Sequence, residues 1–206
     1  MARRPPRETA MGQLEHLFAA GVRFDTELQY RALGPGGIQY HRLPIRRSTS
    51  ASECAILSVL QCVAVLGRIP RSRLLGRLRR CIGSDHGDHH DTPIDEDALL
   101  RYLRPFAPSL TAKVLHSGDP RRIGTAALHA IRSGRMALLR FESPTASRWA
   151  TVIGVELKRG VPGMPGSPGN PDQNPVRALL LLDSSASEPW ACAHNARLEL
   201  GGIASP

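Results

Sequence analysis

A chain of 206 residues, 41% of them hydrophobic, is long enough for one well-cored domain with tails. Its formal net charge of +9 is uneven: residues 1–80 hold 14 Arg against 5 Asp or Glu, whereas residues 81–206 hold 13 of each sign, so the whole excess lies in the first 80 residues. Four scattered cysteines, Cys54, Cys62, Cys81 and Cys192, exclude a C-x-x-C zinc site and a disulfide scaffold, and nothing approaches the apolar length of a membrane span, so the expectation is a soluble protein of a reducing, cytoplasmic compartment.

Residues 1–12, with Pro5-Pro6 and three arginines, read as a disordered basic tail, and no apolar run follows to make a secretory signal. Leu14, Leu17 and Phe18 fall at helical spacing and predict a short helix closed near Gly21. Gly34-Pro35-Gly36-Gly37 is a turn between two extended pieces, Gln29 to Leu33 and Ile38 to Leu43.

Ser50 to Gly67 is the organising stretch. It has candidate caps in Ser50 and Ser52, Glu53 in its first turn, then more than three turns of mostly apolar residues ended by glycine, so a buried helix is predicted. Cys54 lies in the first turn, where unpaired backbone N–H groups and the helix dipole favour a thiolate. The bland reading is that Cys54, like Cys62, is a small core residue.

Ile69-Pro70 opens a second helix with Leu74, Leu75 and Leu78 on one side and Arg71, Arg73, Arg77, Arg79 and Arg80 largely on the other, the best candidate for contact with a polyanion or a membrane surface. It lacks the interleaved aromatics of single-strand nucleic-acid binders, which argues against nucleic acid. Arginine supplies all but Lys113 and Lys158 of the basic residues, a bias that a GC-rich coding sequence also produces. Ser84 to Asp91 gathers His86, His89 and His90 with aspartates, ligand types that suit zinc or nickel, but in a polar, Gly-containing connection that reads as a solvated loop; no metal and no cofactor are assigned.

Thr92-Pro93 followed by Asp95, Glu96 and Asp97 predicts a helix capped by Thr92 and running through Leu103. Thr111 to His116 alternates like a strand, and Asp119-Pro120 starts a helix stopped at Gly134. Four strands are then predicted: Met136–Phe141, Trp149–Leu157, Ala178–Asp183 and Ala196–Leu200. Helices first and an antiparallel sheet afterwards means α+β. Residues 159–175, rich in Gly and Pro, form a hairpin insertion inside a single domain that runs from 13 to 206.

A cysteine opening a central helix, a helical half, then strands of which one carries an aromatic near its start and the next ends in Asp, resembles the papain-like cysteine peptidases. More narrowly it resembles the bacterial bacteriocin-processing peptidases that cleave after double-glycine leaders. The matching segments are Glu53-Cys54-Ala55-Ile56-Leu57, Arg148-Trp149-Ala150-Thr151-Val152-Ile153-Gly154 and Leu179-Leu180-Leu181-Leu182-Asp183-Ser184. The resemblance implies Cys54 as nucleophile and Asp183 as the acid, a papain-like fold, and a peptide or protein partner. It departs at two positions: Arg148 stands where the catalytic His belongs, and Ser48 where the oxyanion-hole Gln belongs.

A papain-type mechanism needs a base that takes the thiol proton and returns it to the leaving amine. A guanidinium stays protonated and cannot do so. Losing an oxyanion donor removes roughly 3–4 kcal/mol of transition-state stabilisation. The expectation is a degenerate domain that binds a peptide or leader segment, with Arg148 facing the thiol, Trp149 and the Arg71, Arg73 and Arg77 face available for binding, and weak or no proteolysis. Two alternatives remain: an active peptidase using His116 or His194 as its base, and a basic adaptor for nucleic acid or an acidic partner. The sequence carries no signal for oligomeric state.

Overall fold

The computed structural model describes residues 14–20, 22–23, 29–34, 37–42, 51–66, 76, 94–104, 111–143, 146–158, 176–186 and 194–200. The expected basic tail 1–12, Ser48, the helix expected to carry Arg71, Arg73 and Arg77, His86, His89 and His90, and the expected 159–175 insertion lie outside them.

The elements are β1 (Leu14–Phe18), β2 (Val22–Arg23), β3 (Gln29–Gly34), β4 (Gly37–Arg42), α1 (Ala51–Val65), α2 (Glu96–Leu103), α3 (Pro120–Arg132), β5 (Ala137–Ser143), β6 (Ala146–Lys158), β7 (Val176–Leu182) and β8 (Ala196–Glu199). The coarse class is α+β with antiparallel sheets. In the main sheet β6 is the spine: β7 lies along one edge and is followed by β8, while the other edge is shared in tandem by β5 and β1. A second antiparallel sheet, β2-β3-β4, has β3 beside α1.

The main sheet is covered on both faces. Trp149 and Ile153 of β6 and Leu182 of β7 point toward α1 and Leu99 of α2. Ala150, Val152, Val155, Leu179 and Leu181 point toward Ala127, Leu128 and Ile131 of α3. The period-2 alternation of β6 is broken between Val152 and Gly154, where the register against β7 shifts by one residue. That irregularity sends Ile153 and Val155 to opposite faces although they are two residues apart.

α1 is apolar nearly all round because it is buried nearly all round: from Glu53 to Val65 only Ile56 is less than fully buried. Burying Leu57 and Leu60 contributes about 2 kcal/mol each relative to exposure. α2 starts at Glu96, capped by Asp95, whose carboxylate accepts from the Ala98 N–H at 2.7 Å. Asp95 therefore performs the capping expected of Thr92, and Thr92 and Pro93 lie outside the described residues. α3 is capped by Asp119 as predicted and ends before Gly134, whose φ of 68° is the left-handed conformation that stops a helix.

Two expectations are corrected. Leu14, Leu17 and Phe18 belong to a strand, not a helix. Beyond β5, the edge of β6 from Gly154 to Lys158 needs hydrogen-bond partners, and β1 supplies them residue for residue from Phe18 to Leu14. Leu17 joins the α3-side core and Phe18 the α1-side core, so a strand buried on both faces at one end imitates helical spacing. Thr111 to His116 forms no strand and is exposed throughout.

Candidate functional site

Cys54 occupies the first turn of α1, as the sequence indicates, and its thiol turns inward; the residue is 2% exposed. The S–H donates to the Trp149 carbonyl oxygen at 2.9 Å, and the Ser184 hydroxyl donates to Cys54 Sγ at 3.2 Å. Ser58, one turn further along α1, donates to the same Trp149 carbonyl at 3.1 Å, which its two lone pairs permit. The β6–β7 ladder ends at the pair Thr151 and Leu182, so no β7 residue stands opposite Trp149 and its carbonyl is open to α1.

The seam of polar groups continues into the core. The Thr151 hydroxyl reaches both the Ser58 carbonyl and Gln61 Oε1 at 3.0 Å; its single proton serves one acceptor at a time. Cys54, Ser58 and Gln61 thus form a stripe of polar side chains one turn apart, facing β6 from within an apolar helix. Cys62 lies beside this stripe, 7% exposed, and burial pushes its thiol up to about 12, so it stays neutral as a core residue.

Asp183 lies just past the end of β7 and its carboxylate is engaged locally. Oδ1 accepts from the Ser185 N–H at 2.8 Å and the Ser185 hydroxyl at 2.6 Å, which closes the turn. The Asp183 backbone is held by the Asn195 amide, which donates to its carbonyl at 2.7 Å and accepts from its N–H at 2.8 Å. Arg148 is exposed and donates to the Ser185 hydroxyl at 3.0 Å. The expectation that Arg148 faces the thiol is therefore corrected. Successive residues of a strand point to opposite sides, and it is the Trp149 carbonyl and Ser184 that meet Cys54. Arg148 and Asp183 are linked through Ser185 on the outer side of the same turn.

Trp149 is 6% exposed; its ring N–H donates to the Ile94 carbonyl at 2.9 Å, and the Arg140 guanidinium carbon lies 6.0 Å from its ring centroid. Its side chain thereby serves the core and the start of α2. This burial corrects the expectation that Trp149 presents a binding surface.

Neither candidate replacement base reaches the thiol. His116 is exposed on the segment before α3, within electrostatic reach of Glu96. His194 lies against His16, ring centroids 6.2 Å apart, in a separate polar cluster around Glu156. There Glu156, 3% exposed on β6, accepts from Arg197 of β8 at 2.6 and 3.1 Å and approaches His16 of β1 at 3.3 Å. The Arg197 hydrogen bonds hold the Glu156 carboxyl below the usual carboxylate range, and burial holds His194 below the usual imidazole value.

Among the described residues no three His, Cys, Asp or Glu side chains gather to hold a metal ion, and no helix is long and apolar enough to cross a membrane. Sequence reasoning placed Cys54 and Asp183 at the meeting of α1, β6 and β7 but missed Ser58, Ser184 and Asn195. Ser58 carries a signal, a small polar residue four positions after Cys54 in an apolar helix; Ser184 and Asn195 are recruited by turns whose path only the folded chain shows.

No protein-family model matches the sequence, and no curated protein matches it.

Proposed function

We propose that the protein is a papain-like domain of the leader-peptidase type that holds a peptide or protein segment without hydrolysing it. The observation that carries this reading is the environment of Cys54: a thiol at the start of the central helix, bonded to a carbonyl and a hydroxyl, with Arg148 one residue away on β6 and turned outward. An amide carbonyl accepts a hydrogen bond but does not take the thiol proton, and among the described residues no imidazole or carboxylate hydrogen-bonds to the thiol to create the thiolate or to protonate a leaving amine. The retained frame supports the binding half of the reading. Arg148, Ser185 and Asp183 make a polar shelf beside the buried thiol, and the exposed Arg148 guanidinium suits a peptide carboxylate or carbonyl.

The test is to incubate the protein with double-glycine leader peptides and to follow cleavage by mass spectrometry and binding by calorimetry. Binding without turnover is the expected result, weakened by Arg148→Ala and indifferent to Cys54→Ala. Turnover abolished by Cys54→Ala overturns it in favour of a peptidase.

A further inference from the structure

We propose that residues 111–116 are a docking strand to which an extended acidic segment of a partner protein adds by β-pairing, at a site separate from Cys54. The sequence Thr-Ala-Lys-Val-Leu-His has the residue types of a strand, yet in the folded chain it stands outside both sheets. Among the described residues no backbone hydrogen bond involves 111–116, so a row of N–H and C=O groups is open to a partner strand. Val114 and Leu115 are each 45% exposed, two of the three large hydrophobic side chains exposed to that extent among the described residues. Adjacent in an extended chain, they point to opposite faces and give an added strand apolar contact on both.

The segment is held at one end. The Ser117 hydroxyl accepts from the Asp119 N–H at 3.1 Å, and Asp119 in turn caps α3, accepting from the Arg121 N–H at 2.9 Å. A strand anchored to a folded helix is partly preordered, which lowers the entropy cost of pairing.

Charge selects the occupant. Lys113, His116, Arg121 and Arg122 are all exposed, with Asp119 the one acid between 111 and 122. A second copy of this chain would bring the same cations, Lys113 and His116 with Arg121 and Arg122, to both sides of the pair in a protein whose net charge is already +9, which opposes self-pairing. Nucleic acid would meet no Phe, Tyr or Trp to stack on between 111 and 122. An extended peptide that alternates apolar and acidic residues satisfies the backbone, the two apolar side chains and the cations together.

The test is fluorescence anisotropy of a fluorescein-labelled octapeptide of alternating Val and Glu, titrated with the full chain at low and at physiological salt. Binding is expected, weaker at higher salt. Lys113→Glu and Leu115→Pro, which reverses the charge and removes the central N–H donor, are each expected to weaken it by about tenfold or more. Cys54→Ala and Arg148→Ala should leave it unchanged, so failure here is distinguishable from failure of the leader-peptide reading. No binding at millimolar protein, or binding untouched by both variants, overturns the proposal. So does a dimer that Leu115→Pro dissociates, which makes the occupant a second copy, or a melting temperature that Leu115→Pro lowers by several degrees, which makes it another part of this chain.

Discussion

The Cys54 thiol and the Trp149 carbonyl oxygen are hydrogen-bonded at 2.9 Å, joining the first turn of α1 to β6 just beyond the point where the β6–β7 ladder ends. A thiol that is 2% exposed, its S–H already engaged by a carbonyl, is shielded from reagents. Iodoacetamide labelling of Cys54 at pH 8, followed by peptide mass spectrometry, is expected to be at least roughly tenfold slower in the native protein than in urea. Equal rates in the two states would show the thiol to be open.

The other end of Trp149 predicts a stability effect. Its ring N–H satisfies the Ile94 carbonyl just before α2, so Trp149→Phe keeps most of the apolar contact and leaves that carbonyl unpaired. A cost of about 1–3 kcal/mol is expected in urea unfolding, with faster amide exchange at the start of α2 than elsewhere. A variant as stable as the parent would show that water replaces the indole.

Gly154 predicts a steric one. A Cβ there would lie 2.9 Å from the Leu17 carbonyl oxygen and 3.0 Å from the Phe18 ring, so the close approach of β1 to β6 requires glycine. Gly154→Ala is expected to cost about 1–3 kcal/mol and to raise hydrogen exchange in β1 selectively. Uniform protection of β1 in the variant would contradict that packing.

The cluster around Glu156 predicts acid sensitivity. The Glu156 carboxyl is held low by Arg197, so its stabilisation is present above its unfolded value near 4.5 and is lost as pH falls through the folded value. His194 is held low by burial. Its neutral form carries no penalty above its unfolded value of 6.5, and stability falls as pH drops below that value toward the folded one. Stability should therefore decline in two stages on acidification. His194→Gln is expected to flatten the upper stage and Glu156→Gln the lower, read from urea midpoints between pH 7 and about pH 2.5. Parallel pH curves for His194→Gln and the parent would remove His194 from the account.

Much of the helical framework is legible residue by residue. The helix over Ala51–Val65 follows from its run of apolar residues and flanking signals, and the helix over Pro120–Arg132 from Asp119, Pro120 and Gly134. β6 and β7 follow from long apolar runs that only a doubly covered sheet can bury. The candidate site was legible in position, because Cys54 and Asp183 sit at ends of elements readable from sequence, but not in contact. Ser184 turns to the sulfur and Ser185 to Arg148 because of a turn held by Asp183 and Asn195, 12 residues apart in the chain.

The sequence by itself determined where α1 begins and that Cys54 stands in its first turn, since caps, acids and apolar runs act within a few residues of one another. Tertiary structure alone decided that Leu14–Phe18 is a strand, because the need of the β6 edge for partners outweighs a weak local preference. It also decided that Thr111 to His116, a strand by composition, has no sheet to join, and that Cys54 faces a carbonyl and a serine instead of Arg148. Each of these depends on groups far apart in sequence, and long-range pairing is the information that local spacing does not contain.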